Sequence, residues 1–200
     1  KNGVTFFYVL PFTKTKALIE YTLFSEKLLE THIYEDALSD YIKERYGLLK
    51  ENYTITRVEK GAIPMEDRVY PQWYCNRVMN TGMAGGYTKP STGYTFSRLH
   101  DMSKKIVSAL EKGYEIPDMK ASGYRFRVYD MMLLYLLKNE TDISIQIFRD
   151  LFKKNKFDRI LQFLDEETKF VQELRIFSTL PYMPFFRSIY KTKHRIFTGA

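Results

Sequence analysis

Three observations predict an α+β chain. A β-branched and aromatic hairpin pattern opens it, only helical patterns follow Gly113, and a glycine-rich segment, Thr81 to Phe96, stands between them. The elements follow in order.

Thr5 to Leu10, TFFYVL, reads as a strand; Pro11 to Lys16 is a polar turn, and Ala17 to Ser25, ALIEYTLFS, is the returning strand. Alternation places Leu18, Glu20, Thr22 and Phe24 on one face, and Ile19, Tyr21 and Leu23 on the other. Both faces are mostly apolar, which singles out Glu20. A carboxylate there is paired with a cation, exposed at an edge, or kept protonated by desolvation. Tyr34, Leu38, Tyr41, Ile42 and Tyr46 form a helical stripe that Gly47 closes. Tyr53 to Lys60 alternates and predicts a strand, and Arg77 to Asn80 predicts a short one whose end delivers the glycine segment.

That segment, TGMAGGYTKPSTGYTF, contains Gly82, Gly85, Gly86 and Gly93. Such a loop admits positive φ and close approach by another body. Pro90 suits a first helical turn, Ser91 and Thr92 can cap free amides, and Phe96, Leu99, Met102, Ile106, Ala109 and Leu110 continue as a helical stripe. A glycine loop feeding a helix start makes an anion site; a tight turn before a capped helix uses the same residues. Lys89 reads as a solvated side chain. Beyond Gly113, helices are predicted over 124–138, 143–153, 157–164 and 169–177, with Phe157, Ile160, Leu161 and Leu164 in register. Pro181 and Pro184 break the chain before FFRSIYKTKHRIF. From Pro181 to Phe197 the apolar Tyr182, Met183, Phe185, Phe186, Ile189, Tyr190, Ile196 and Phe197 accompany Arg187, Lys191, Lys193, His194 and Arg195, and Phe185, Phe186, Ile189 and Tyr190 form a helical stripe. The pattern fits an interfacial helix on an acidic membrane surface, or a terminal helix packed on its domain.

The chain has 200 residues, 44% apolar and 16% aromatic, which describes a globular body. A net charge of +7 admits anionic partners: a phosphate-bearing cofactor, acidic lipid or, least of these, nucleic acid, for which no zinc-knuckle, RNP-like or long basic motif is present. Cys75 stands alone and His32, His100 and His194 are scattered, so neither an internal disulfide nor a zinc site is expected. The sequence opens on Lys1-Asn2-Gly3 without an initiator Met or signal peptide, as an excised piece would. Its longest apolar run, Met131 to Leu137, is far below the roughly 20 residues of a spanning helix.

Taken together, LPFTKTKALIEYTLFS, GAIPM and RVMNTGMAGGYTKPSTGYTF, in this order, resemble the flavin-dependent lycopene cyclases, the carotenoid-ring-forming enzymes of bacteria and plants. Ala84-Gly85 followed by Pro90-Ser91-Thr92-Gly93-Tyr94 is the most specific part. Ile19-Glu20-Tyr21-Thr22 resembles the family's hydrophobic-Glu-acidic-Thr segment, with Tyr21 replacing the acidic neighbour. The motifs cover about Thr5 to Arg98.

The resemblance implies part of a flavoprotein-hydroxylase-like FAD-binding fold. Residues 1–76 would supply substrate-domain strands and a helix, 77–113 a second part of the FAD-binding domain, and 114–200 a helical C-terminal region. No GxGxxG fingerprint occurs, so the chain is expected to be the C-terminal half of a cyclase whose other half holds the adenosine end. Met83 stands where related hydroxylases carry an Asp. Glu20 would be the essential acid or base, with Phe7, Tyr21 or Phe24 facing a cationic intermediate. Gly82, Ala84, Gly85, Gly86, Pro90, Ser91, Thr92 and Gly93 would contact FAD, required in reduced form with NAD(P)H as electron source. The substrate would be an apolar carotenoid, reached from the cytoplasm by peripheral contact with the inner face of the membrane. A flavin monooxygenase or reductase of the same superfamily, and a non-catalytic module for apolar ligands or lipid, remain as alternatives.

Overall fold

The computed structural model describes residues 3–198, with two small antiparallel sheets in the N-terminal part and seven α-helices among the described residues, mostly in the C-terminal part. The chain divides into two compact units, Lys1–Ala62 and Ile63–Ala200.

In the first unit, β1 (Val4–Pro11) pairs with β2 (Ala17–Phe24) in a register that sets Tyr8 opposite Glu20 and Phe6 opposite Thr22. The turn is closed by the amides of Phe12 and Thr13, both donating to the Lys16 carbonyl. Helix α1 (Thr31–Tyr46) ends on Gly47 in the left-handed conformation, φ 67°, whose amide donates to the Lys43 carbonyl, as the sequence predicts. This helix covers one face of the hairpin: Phe7 stacks on Tyr41 with centroids 4.3 Å apart, and Tyr21 meets Tyr34 edge-on. The strand expected at 53–60 does not form. Its alternation gives neither face enough apolar surface to bury, and Ile55 and Val58 stay exposed.

In the second unit, β3 (Trp73–Cys75) and β4 (Val78–Met79) make a short hairpin leading into a 3₁₀ turn, Gly82–Gly85. Helix α2 (Phe96–Glu111) then buries Met102 and Ala109 while Phe96 and Leu110 remain exposed. Helices α3 (Tyr124–Asn139), α4 (Thr141–Lys154), α5 (Phe157–Leu164), α6 (Phe170–Phe177) and α7 (Tyr182–Thr198) lie close to their predicted spans. Their core is Leu136, Ile147, Leu151, Ile160, Ile176 and Leu180. Pro184 sits inside the first turn of α7 instead of breaking the chain, because the first-turn amides have no partner to lose.

Candidate functional site

With α1 on one side of the hairpin, the opposite face lies open. It carries Phe6, Tyr8, Leu10, Leu18, Glu20, Thr22 and Phe24, and of these Phe6, Tyr8, Leu10, Leu18 and Glu20 are exposed. Glu20 is the acidic group of an otherwise mainly apolar surface. Among the described residues it pairs with no cation, and it is exposed: the Tyr8 hydroxyl donates to Oε2, and the Thr22 hydroxyl donates to Oε1 at 3.0 Å. Two of the three rings expected to face it do not. Phe7 and Tyr21 point to α1, because alternation puts odd-numbered positions of both strands on that side; Phe24 shares the Glu20 face, as does Phe6, 5.4 Å from it edge-on.

The glycine segment lies in the second unit and turns inward on itself. The Gly85 amide donates to Thr81, Gly86 to Met83, Tyr87 to Gly82, and both Thr92 and Gly93 to the Lys89 carbonyl. Close approach occurs, but by the chain's own groups. A Cβ on Gly85 would lie 2.6 Å from the Asn80 carbonyl oxygen, and one on Gly86, at φ 74°, would lie 2.8 Å from the Tyr70 ring. Pro90, Ser91 and Thr92 do not begin the helix. It starts at Phe96, its N-cap Thr95 makes no side-chain cap bond, and residues 90–92 form a turn. Ser91 is instead buried, its hydroxyl donating to Asp130 Oδ1 at 2.5 Å. The physical reason is that the Lys89 carbonyl takes up the Thr92 and Gly93 amides, closing a tight turn before a helix can propagate.

Lys89 is the side chain that sequence reasoning placed wrongly. Only 4% exposed, it carries its ammonium to 3.0 Å from Asp130 Oδ1 and 3.0 Å from Glu166 Oε1. Glu166 also accepts from Arg98 and from Ser122, at 2.8 and 2.9 Å. Burial pushes the Asp130 carboxyl up, and Lys89, then Ser91, pull it back. Glu166 adopts φ 64° just past the end of α5, where glycine is usual; its three donors hold it there against a strain of order 1 kcal/mol. A signal existed in the sequence: Asp130 directly precedes the apolar run 131–137 on α3, where a carboxylate needs a partner. A second buried carboxylate, Glu173, accepts from Arg125 at 3.0 Å, Tyr129 at 2.9 Å and Thr168 at 3.1 Å. Burial, then the bond to Glu173, pushes the Tyr129 phenol up to about 12.

A flavin cradle made from the amides of Gly85, Gly86, Thr92 and Gly93 therefore does not fit this loop as folded. The amides of Gly85, Gly86, Thr92 and Gly93 are taken, Ser91 is committed to Asp130, and Lys89 is neutralised. The cavity beside it, lined by Lys89, Tyr94, Arg98 and Leu164 among others, measures about 150 Å³, below the roughly 300–1,000 Å³ of small-molecule sites. Thr81, Met83 and Ala84 remain exposed at the loop's edge. No cluster of His, Cys, Asp and Glu among the described residues could hold a metal.

The apolar stripe expected on α7 is split by the fold. Phe185 packs against the core and Ser188 and Thr192 are buried, whereas Tyr182, Met183, Phe186 and Tyr190 are exposed. The side chains of Ile196 and Phe197 lie outside the described residues. No described helix is long and apolar enough to cross a membrane.

Comparison with known protein families gives a match to the family described as lycopene cyclase protein, over residues 1–190. Neither the curated proteins nor the solved structures include a match to this chain.

Proposed function

This chain belongs to the lycopene cyclase family, so its substrate class is a carotenoid, and we propose that Glu20 performs the acid–base step of end-group cyclisation. The observation that carries the reading is Glu20's position: a carboxyl at the centre of the hairpin face that α1 leaves uncovered, ringed by Phe6, Leu10, Leu18 and Phe24. An apolar polyene end could lie on that surface with its double bond against the one acidic group.

The step balances without a redox change. The Glu20 carboxyl gives its proton to one carbon of the end-group double bond, leaving a tertiary cation and a carboxylate. The π pair of a neighbouring double bond forms the ring bond and moves the cation; a C–H beside it then loses its proton to a base, and that electron pair restores a double bond. Phe6 and Phe24, on the same face, could each offset cationic charge by roughly 0.5–2 kcal/mol. Reduced FAD, which the resemblance implies, belongs to this proposal as a requirement of the complete enzyme. The proton transfers at Glu20 need no electron from it, and the amides of Gly85, Gly86, Thr92 and Gly93 are engaged within the loop.

Exposed Tyr182, Met183, Phe186 and Tyr190, beside Arg187, Lys191 and Lys193, support a peripheral membrane contact through α7 for collecting an apolar substrate from the cytoplasmic side. The inward-turned glycine loop favours a second reading, a non-catalytic module that holds an apolar ligand. Glu20→Gln in the complete reading frame, expressed in a lycopene-accumulating host, separates the two. The cyclase reading expects at least a roughly 100-fold loss of cyclic product with unchanged protein level; retained cyclisation would remove Glu20 from the chemistry.

A further inference from the structure

We infer that Tyr8 is a positioning residue for Glu20, acting with Thr22 as a two-hydroxyl clamp on the reacting carboxyl; the inference rests on the reading of Glu20 given above. The antiparallel register sets Tyr8 directly opposite Glu20, and the period of two sets Thr22 on the same face of β2. Each hydroxyl donates to a different oxygen, Tyr8 to Oε2 and Thr22 to Oε1 at 3.0 Å. One donor comes from each strand, so the plane of the carboxyl is fixed by the hairpin itself and does not follow the rotamers of a long, exposed side chain.

The consequence is chemical as well as geometric. Hydroxyl donors stabilise an ionised carboxylate more than a neutral acid. With Glu20 carrying its proton when the substrate is bound, the clamp strengthens as that proton passes to the double bond, and it acts in the transition state more than in that ground state. No contact of Tyr8 or Thr22 with the hydrocarbon is required, so their effect falls on kcat and not on KM. An ordinary cross-strand pair that only stabilises the hairpin would instead show itself in the unfolding transition.

The experiment uses the complete protein acting on lycopene in vesicles, with kcat, KM and thermal midpoint measured for Tyr8→Phe, Thr22→Val, Thr22→Ser and Glu20→Gln. Tyr8→Phe keeps the ring and removes the donor; a roughly 10- to 100-fold fall in kcat is expected, with KM and the midpoint unchanged. Thr22→Val should lower kcat in the same way, and Thr22→Ser, which restores the hydroxyl, should recover it. Wild-type kcat in Tyr8→Phe, or a loss confined to KM or to the midpoint, overturns the clamp while leaving Glu20 in place if Glu20→Gln is inactive. Turnover by Glu20→Gln would instead overturn the underlying assignment of Glu20.

Discussion

Lys89→Met removes the cation at the centre of the buried cluster that ties the glycine loop to the helices. The ammonium stands 3.0 Å from both Asp130 and Glu166, and the Lys89 and Asp130 side chains are 5% and 3% exposed. Methionine keeps most of the volume and none of the charge. Glu166 retains Arg98 and Ser122, so the uncompensated charge falls mainly on Asp130, which among the described residues keeps Ser91 as its hydrogen-bond partner. Breaking a buried pair on one side costs roughly 3–5 kcal/mol. At about 2–4 °C per kcal/mol for a chain of this length, the thermal midpoint should fall by about 10 °C.

The pH dependence fixes the sign. Burial already holds the Asp130 carboxyl above its ordinary value of 3.8, and Lys89 is the largest group opposing that. A carboxyl raised in the folded state contributes stability below its unfolded value and loses it as pH rises through the folded value. Without Lys89 the rise is larger. The deficit of Lys89→Met is therefore greatest near neutral pH and shrinks as the pH falls through the raised folded-state value of Asp130, which lies above 3.8. Asp130→Asn in the Lys89→Met background should recover most of it. Urea unfolding followed by far-UV circular dichroism, near pH 7 and near pH 4, measures both effects. A loss below about 1 kcal/mol, or one independent of pH, would refute the reasoning.

Three further outcomes are expected. The Tyr129 phenol, held up to about 12 against an ordinary 10.0, contributes stability that is present below about pH 10 and lost as pH rises through 12; Tyr129→Phe should flatten that alkaline limb in a thermal-midpoint series. Gly85→Val should destabilise the second unit by about 1–3 kcal/mol in urea, because its Cβ meets the Asn80 carbonyl and the Tyr87 ring; a stable variant that nevertheless fails to take up flavin would instead place the cofactor at Gly85. Phe186→Ser should weaken flotation on anionic vesicles without changing stability, whereas Phe185→Ser should lower stability by roughly 2–4 kcal/mol, since only Phe185 reaches the core. Equal flotation of Phe186→Ser and the parent would show that α7 is not the membrane contact.

Elements that depend on local pattern were legible in advance. The hairpin, α1 with its Gly47 cap, and the spans of α3 to α6 follow from periodicity and end signals that act within a few residues. Glu20 stood out because a carboxylate breaks an apolar alternation. Three features were not legible: the missing strand at 53–60, the turn at 90–92, and the inward course of Lys89. Lys89 depends on partners far away in sequence, Asp130 and Glu166, whereas the strand lacks an apolar face and the turn is closed by the Lys89 carbonyl, balances that pattern alone does not weigh.

By itself the sequence determined the family, through ordered motifs over its first half, and the class of each main element, through the fixed periods of helix and strand. It also determined that Glu20 and Thr22 share a side of their strand, since a period of two permits nothing else. Which side of the hairpin is covered was decided only in three dimensions, because both faces are apolar enough for α1 and the choice rests on Phe7, Tyr21, Tyr34 and Tyr41 stacking together. The same holds for the glycine loop. Its composition permits both a ligand cradle and a self-contained turn, and burying the Lys89 ammonium between two carboxylates from distant segments selects the turn.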